Sequence, residues 1–150
     1  MKTAITIFKK STFALSTIAI LSTLSPKASA QQTCPYYKEI IAAAKSEGWT
    51  IVKNSYNYIS QGNSIEVQYY FSSGYSYRII AITCTQAVTD LDLYLYENDY
   101  SEYSKDLNYK DYGAVDFYPQ SSRYMRAVAK NVSSTSPYSD AIVSIIILRK

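Results

Sequence analysis

The sequence predicts a mainly β protein, a jelly-roll-like antiparallel β-sandwich of seven or eight strands preceded by one N-terminal α-helix. Three observations carry this expectation. Short runs rich in Tyr, Ile and Val recur at about 8–12-residue spacing, with Ser, Gly, Asn and Pro clusters between them. Two of the runs alternate apolar and polar residues, the period of a half-buried strand. Only one segment, ahead of all of them, shows helical spacing.

That helix is expected over 35–47. Thr33 can cap it, Pro35 suits its first turn and Gly48 its exit. Tyr37, Ile40, Ile41 and Ala44 fall at i, i+3, i+4 and i+7, one apolar face. From Trp49 the period drops to two. A β-rich segment, 49–58, ends at the turn Ser60-Gln61-Gly62-Asn63, and Ile65, Val67, Tyr69 and Phe71 then alternate with Glu66, Gln68 and Tyr70. Ser72-Ser73-Gly74 leads into a strand over 75–84, and so short a turn predicts an antiparallel hairpin. The clearest strand is 90–96, with Leu91, Leu93 and Leu95 aimed at a core and Asp90, Asp92, Tyr94 and Tyr96 aimed away from it. The polar stretch 97–113 reads as a long loop with at most a weak edge strand. Segments 115–118, 123–132 and 140–148 complete the set, and Ile142 to Leu148 is apolar on both faces, which suits a central strand.

The first 30 residues read as a cleavable secretory signal peptide. Lys2, Lys9 and Lys10 precede an apolar run over 13–24, and Ala28-Ser29-Ala30 supplies a small-x-small cleavage site. The run is too short for a membrane span, which needs about 20 mostly apolar residues. The expected exported chain is one domain, with the helix in 31–48 and the sandwich in 49–150. Its expected location is secreted or periplasmic, with no stable membrane insertion after cleavage. Four of the 15 basic residues leave with the leader, so 11 face 12 acidic ones, a net charge of −1. No basic stripe remains to neutralise phosphates, which argues against nucleic acid as a partner. Two cysteines in an oxidising compartment predict a Cys34–Cys84 disulfide. Closing a loop of about 50 residues would contribute roughly 4 kcal/mol in the chain-entropy model.

Histidine is absent from the whole sequence. Ser-His-Asp and Cys-His catalysis are thereby excluded, and so is the commonest transition-metal ligand. No glycine-rich phosphate loop is present. The expectation is a non-enzyme without a resident cofactor. Calcium is the metal that Asp90 and Asp92 would suit, because their carboxylates share a strand face and Glu97, Asp99, Asp106 and Asp111 follow. The competing reading makes the pair the solvated face of an amphipathic strand.

All 17 tyrosines lie after residue 30. Tyr94 and Tyr96 stand opposite the leucines, while Tyr100 and Tyr103 sit in the polar stretch, with no core to enter. Exposed Tyr offers rigid amphipathic contact area at low entropic cost. These four are the candidate ligand-binding residues, and the expected partner is an extracellular or envelope protein or glycan. Self-association through edge strands, as a structural or envelope protein, is the alternative; a carboxylate-dependent hydrolase ranks last.

Three stretches resemble, in order, the bacterial pre-peptidase C-terminal domain family of secreted β-sandwiches. They are Gly74-Tyr75-Ser76-Tyr77 leading into Arg78-Ile79-Ile80-Ala81; Asp90-Leu91-Asp92-Leu93-Tyr94-Leu95-Tyr96; and Val115-Asp116-Phe117-Tyr118-Pro119 followed by Ser121-Ser122-Arg123-Tyr124. Ser122-Arg123 stand where the family commonly has a glycine before the late tyrosine. The likeness covers about residues 60–150 and leaves out the helix. It implies a non-catalytic jelly-roll module, of a kind in which some relatives bind matrix proteins or calcium.

Overall fold

The computed structural model describes residues 35–150. The expected signal peptide, the expected cap Thr33 and Cys34 therefore lie outside the described residues. Helix α1 spans Pro35–Ser46. It exits through Gly48, whose φ of 83° would strain a residue carrying a β-carbon. There Gly48 N donates to Lys45 O at 3.0 Å and Trp49 N to Ala44 O at 2.9 Å, satisfying two of the last helical carbonyls.

Eight strands follow: β1 (Thr50–Ile59), β2 (Ser64–Phe71), β3 (Tyr77–Thr83), β4 (Val88–Glu97), β5 (Glu102–Asp106), β6 (Tyr112–Phe117), β7 (Arg123–Ser134) and β8 (Ala141–Arg149). They form two four-stranded antiparallel sheets, ordered β1-β8-β3-β6 and β2-β7-β4-β5. First pairs with last, second with seventh, third with sixth and fourth with fifth. The chain is thus one long ribbon folded over on itself, with its tip at the β4–β5 turn. This is the jelly-roll sandwich expected from the strand spacing.

The expected hairpin between β2 and β3 does not form. β2 pairs with β7, whereas β3 lies between β8 and β6 in the opposite sheet. The reason is the outer faces. β3 and β8 are apolar on both sides, and Ile80 stands opposite Ile146 under the helix. β2 is polar on its outer side. Pairing β2 with β3 would put an apolar outer stripe and a solvated one on the same side of one sheet. Each strand instead joins the sheet whose outer surface it matches, and residues 72–76 arch across the sandwich.

The stretch 97–113 is also more ordered than a loop. β5 forms within it, an edge strand paired to β4 alone, and β6 begins at Tyr112 instead of Val115. Side chains close the two connections. Asp99 Oδ1 accepts from Ser101 N at 3.0 Å and Ser101 Oγ at 2.7 Å, around Tyr100 at a φ of 65°. Asp106 accepts from the backbone N–H of Asn108 at 3.1 Å and of Ala114 at 2.9 Å. Short polar side chains that satisfy turn backbones are what makes such segments fold tightly.

Two apolar layers result. Leu91, Leu93, Leu95, Phe71, Tyr77, Ile79, Met125, Ile145 and Ile147 pack between the sheets. Tyr37 and Ala44 of α1 seal Ile82, Ile146 and Leu148 on the outer face of the first sheet, with Trp49 and Cys84 beside them. The outer face of the second sheet carries no such cover among the described residues.

Candidate functional site: the outer face of the β2-β7-β4-β5 sheet

Strand alternation places Tyr94 and Tyr96 on this outer face, because Leu91, Leu93 and Leu95 are fully buried on the other. Register supplies their neighbours. Tyr94 stands opposite Val128 of β7 and Lys105 of β5; Tyr96 stands opposite Arg126 and Glu102. On the far side of β7, Gln68 stands opposite Arg126 and Tyr70 opposite Tyr124.

The two central rings run nearly parallel, with centroids 5.8 Å apart and planes 12° from one another. Tyr100, held by the β4–β5 turn, extends the row at 6.5 Å from Tyr96. The Arg126 guanidinium lies 4.4 Å from the Tyr100 ring centre, a cation–π contact, and also forms an ion pair with Glu66. Gln68 Nε2 donates to Asn98 Oδ1 at 3.0 Å, tying β2 to the same turn. Tyr70 and Tyr124 pack at 5.0 Å toward one end of the face. The surface is therefore an aromatic row bordered by hydrogen-bonding and charged groups.

Tyr94 donates its phenol hydrogen to Asp92 Oδ2 at 3.0 Å. Partial burial, followed by this hydrogen bond and the nearby charge, pushes the phenol up to about 12. Tyr94 is thus neutral and fixed in orientation.

Tyr103, by contrast, does not join the row. Its ring packs edge-on against Phe117 at 5.0 Å, and the Arg123 guanidinium lies 5.3 Å from it. Arg123 is held by Glu97 at 2.9 Å. The register shift between Leu95 and Tyr96 in the β4–β5 ladder interrupts the alternation that would carry Tyr103 to the outer face.

The two aspartates also part company. Asp92 is half-buried beside Tyr94, but Asp90 is only 8% exposed. Register shifts flank Asp90 on both sides where β4 leaves the β7 ladder, and its carboxylate is covered there. Its Oδ1 has no hydrogen-bond partner among the described residues, and burial, reinforced by the Asp92 charge, raises its carboxyl above the usual range. The reading of this pair as a solvated strand face therefore fails for Asp90. No group of three or more carboxylate or thiol side chains gathers among the described residues. Of the loop carboxylates, Glu97 serves Arg123, Asp99 serves Ser101 and Asp106 serves Asn108 and Ala114.

Glu66, Gln68, Arg126 and Val128 belong to this surface and were not among the sequence candidates. Their outward parity is legible in β2 and β7, but their adjacency to Tyr94 and Tyr96 depends on β7 lying between β2 and β4. A second concavity lies on the opposite sheet, where α1 leaves β6 uncovered. Ile40, Ile80, Ile82, Tyr112 and Ala114 line a groove of about 430 Å³, closed at one end by the Arg78–Asp116 pair at 2.7 Å.

No family model matches the chain, and no curated protein does. Among solved structures, a de novo designed double-stranded β-helix determined by solution NMR is similar at 15% identity, over 66% of this chain and 100% of that one, with a TM-score of 0.34.

Proposed function

We propose that this protein is an exported, non-catalytic binding module whose ligand, a glycan or a protein surface, lies on the outer face of the β2-β7-β4-β5 sheet. The observation that carries the reading is the row Tyr94–Tyr96–Tyr100, with successive ring spacings of 5.8 and 6.5 Å. Aromatic faces contact the C–H faces of sugar rings, and the polar rim of Asp92, Gln68, Glu66 and Arg126 offers donors and acceptors to hydroxyl groups. That mixture favours a glycan over an apolar protein patch. The absence of histidine from the sequence supports a non-catalytic role. The resemblance to pre-peptidase C-terminal domains supports the same role, as does the leader-like first 30 residues for export. A calcium requirement is not part of this reading.

Glycan-array screening of the protein, followed by calorimetry on any hit, tests it. Tyr94→Ala with Tyr96→Ala should weaken the bound glycan at least tenfold in a variant that circular dichroism shows to be folded at the assay temperature. No glycan bound, or binding indifferent to both substitutions, overturns the glycan reading. Capture of a protein that is lost in the same double variant would instead assign the face to a protein ligand.

A further inference from the structure

The open edges of the two sheets are not alike. β5 is five residues long and carries Glu102, Lys105 and Asp106; β6 is six residues long and carries Asp116. β2 carries Glu66 near its middle. Such charges keep a strand edge from recruiting another strand. β1 is the exception. It is a ten-residue edge strand, and from Asn54 through Ser64 the sequence has no charged side chain. Its one charge, Lys53, and its one bulge, between Ile51 and Lys53, both lie toward its start. Beyond them stand Tyr56 and Tyr58, 38% and 58% exposed, on the face of β1 shared with Asn54. Asn54 meets α1 through Tyr37 Oη at 3.1 Å, so the two tyrosines project from the same side as the helix.

We infer that β1 is a self-pairing edge, and that its occupant is β1 of a second copy of this chain, antiparallel about a two-fold axis at Tyr56. In that register Tyr56 faces Tyr56 of the second copy, Asn54 faces Tyr58, and Lys53 faces Ile59. The two Lys53 side chains then stand roughly 20 Å apart along the strands, well beyond the ~8 Å over which exposed charges act at physiological ionic strength. An equivalent pairing of β2 about its midpoint would bring two Glu66 to about 10 Å along the strands, a less favourable juxtaposition. Pairing at β1 satisfies the backbone N–H and C=O groups left open along it, displaces the Asn57 side chain that accepts from Tyr58 N at 2.9 Å, and covers the tyrosines with one another. The result is a continuous eight-stranded sheet that leaves the Tyr94–Tyr96 face free on both copies. The inference is independent of the proposed ligand face, which lies on the other sheet.

Sedimentation velocity over a concentration series should show a monomer–dimer equilibrium. Tyr56→Lys with Tyr58→Lys should weaken it at least tenfold, whereas Tyr94→Ala should leave it unchanged. Tyr56→Cys should cross-link rapidly to itself under mild oxidation, because the symmetric register sets residue 56 against its own copy. Tyr138→Cys, far more exposed at 99% but in the turn before β8 and outside β1, should not. A wild-type monomer at all concentrations, undiminished dimer in a folded Tyr56→Lys/Tyr58→Lys variant, or equal cross-linking at 56 and 138 overturns the proposal. If the lysine variant does not fold, the cysteine pair decides.

Discussion

Tyr94 and Asp92 sit two residues apart on one strand face, joined by a phenol-to-carboxylate hydrogen bond of 3.0 Å. The bond needs Tyr94 to keep its proton, and with partial burial it pushes the phenol up to about 12. The folded state holds this proton more tightly than the unfolded chain, whose tyrosine titrates near 10. The stabilisation is therefore complete below about pH 10 and is lost as pH rises toward 12. NMR titration of ring-labelled tyrosine should show Tyr94 titrating late. Asp92→Ala should bring it down toward the ordinary value, and an unchanged Tyr94 would remove Asp92 as a cause.

Asp90 gives the opposite sign from a surface carboxylate. Its raised carboxyl means that ionisation disfavours the fold, so its contribution improves as pH falls and worsens as pH rises through the folded value. Asp90→Asn removes the buried charge and keeps the shape. It should raise the melting temperature at neutral pH, and the gain should shrink toward zero in acid, where wild-type Asp90 is already neutral. A destabilised Asp90→Asn at neutral pH would mean that the charged form is held by a group the aspartate needs.

Gly113 of β6 lies tight against β4 of the opposite sheet. A β-carbon there would come within 2.8 Å of Leu93 Cβ and 3.4 Å of the Leu91 carbonyl oxygen. Leu93 is fully buried, so it has no free direction in which to yield. Gly113→Ala should cost about 1–3 kcal/mol in denaturant unfolding, the range for overpacked cores. A neutral result would show that β6 shifts outward at its edge without loss.

The Cys34–Cys84 bond is the remaining expectation to test. Cys84 follows β3 directly, its N–H donating to Ile142 O at 2.8 Å, and it packs beside the cluster that holds α1. Intact mass should rise by two hydrogens on reduction. Reduction should lower stability by roughly 4 kcal/mol, the loop-entropy value, with α1 loosening first. Two thiols reactive without reductant would refute the bond.

Strand and helix periodicity by itself determined a helix over 35–47, observed at Pro35–Ser46, the inward leucines of β4, the central position of β8 and the seven or eight strands that make a jelly roll. These follow from alternation, a property of adjacent residues. Only the tertiary structure decided which strands became neighbours. β2 and β3 are joined by a short turn yet sit in opposite sheets, because matching outer faces outweighed nearness along the chain. The tertiary structure also decided the fate of individual side chains where the ladder slips. Asp90, flanked by register shifts, is buried instead of solvated, and the shift beside Tyr96 sends Tyr103 to Phe117. With a side-chain period of two, one residue of slippage reverses a side chain's face. Bulges depend on the partner strand, so no reading of one strand alone reveals them.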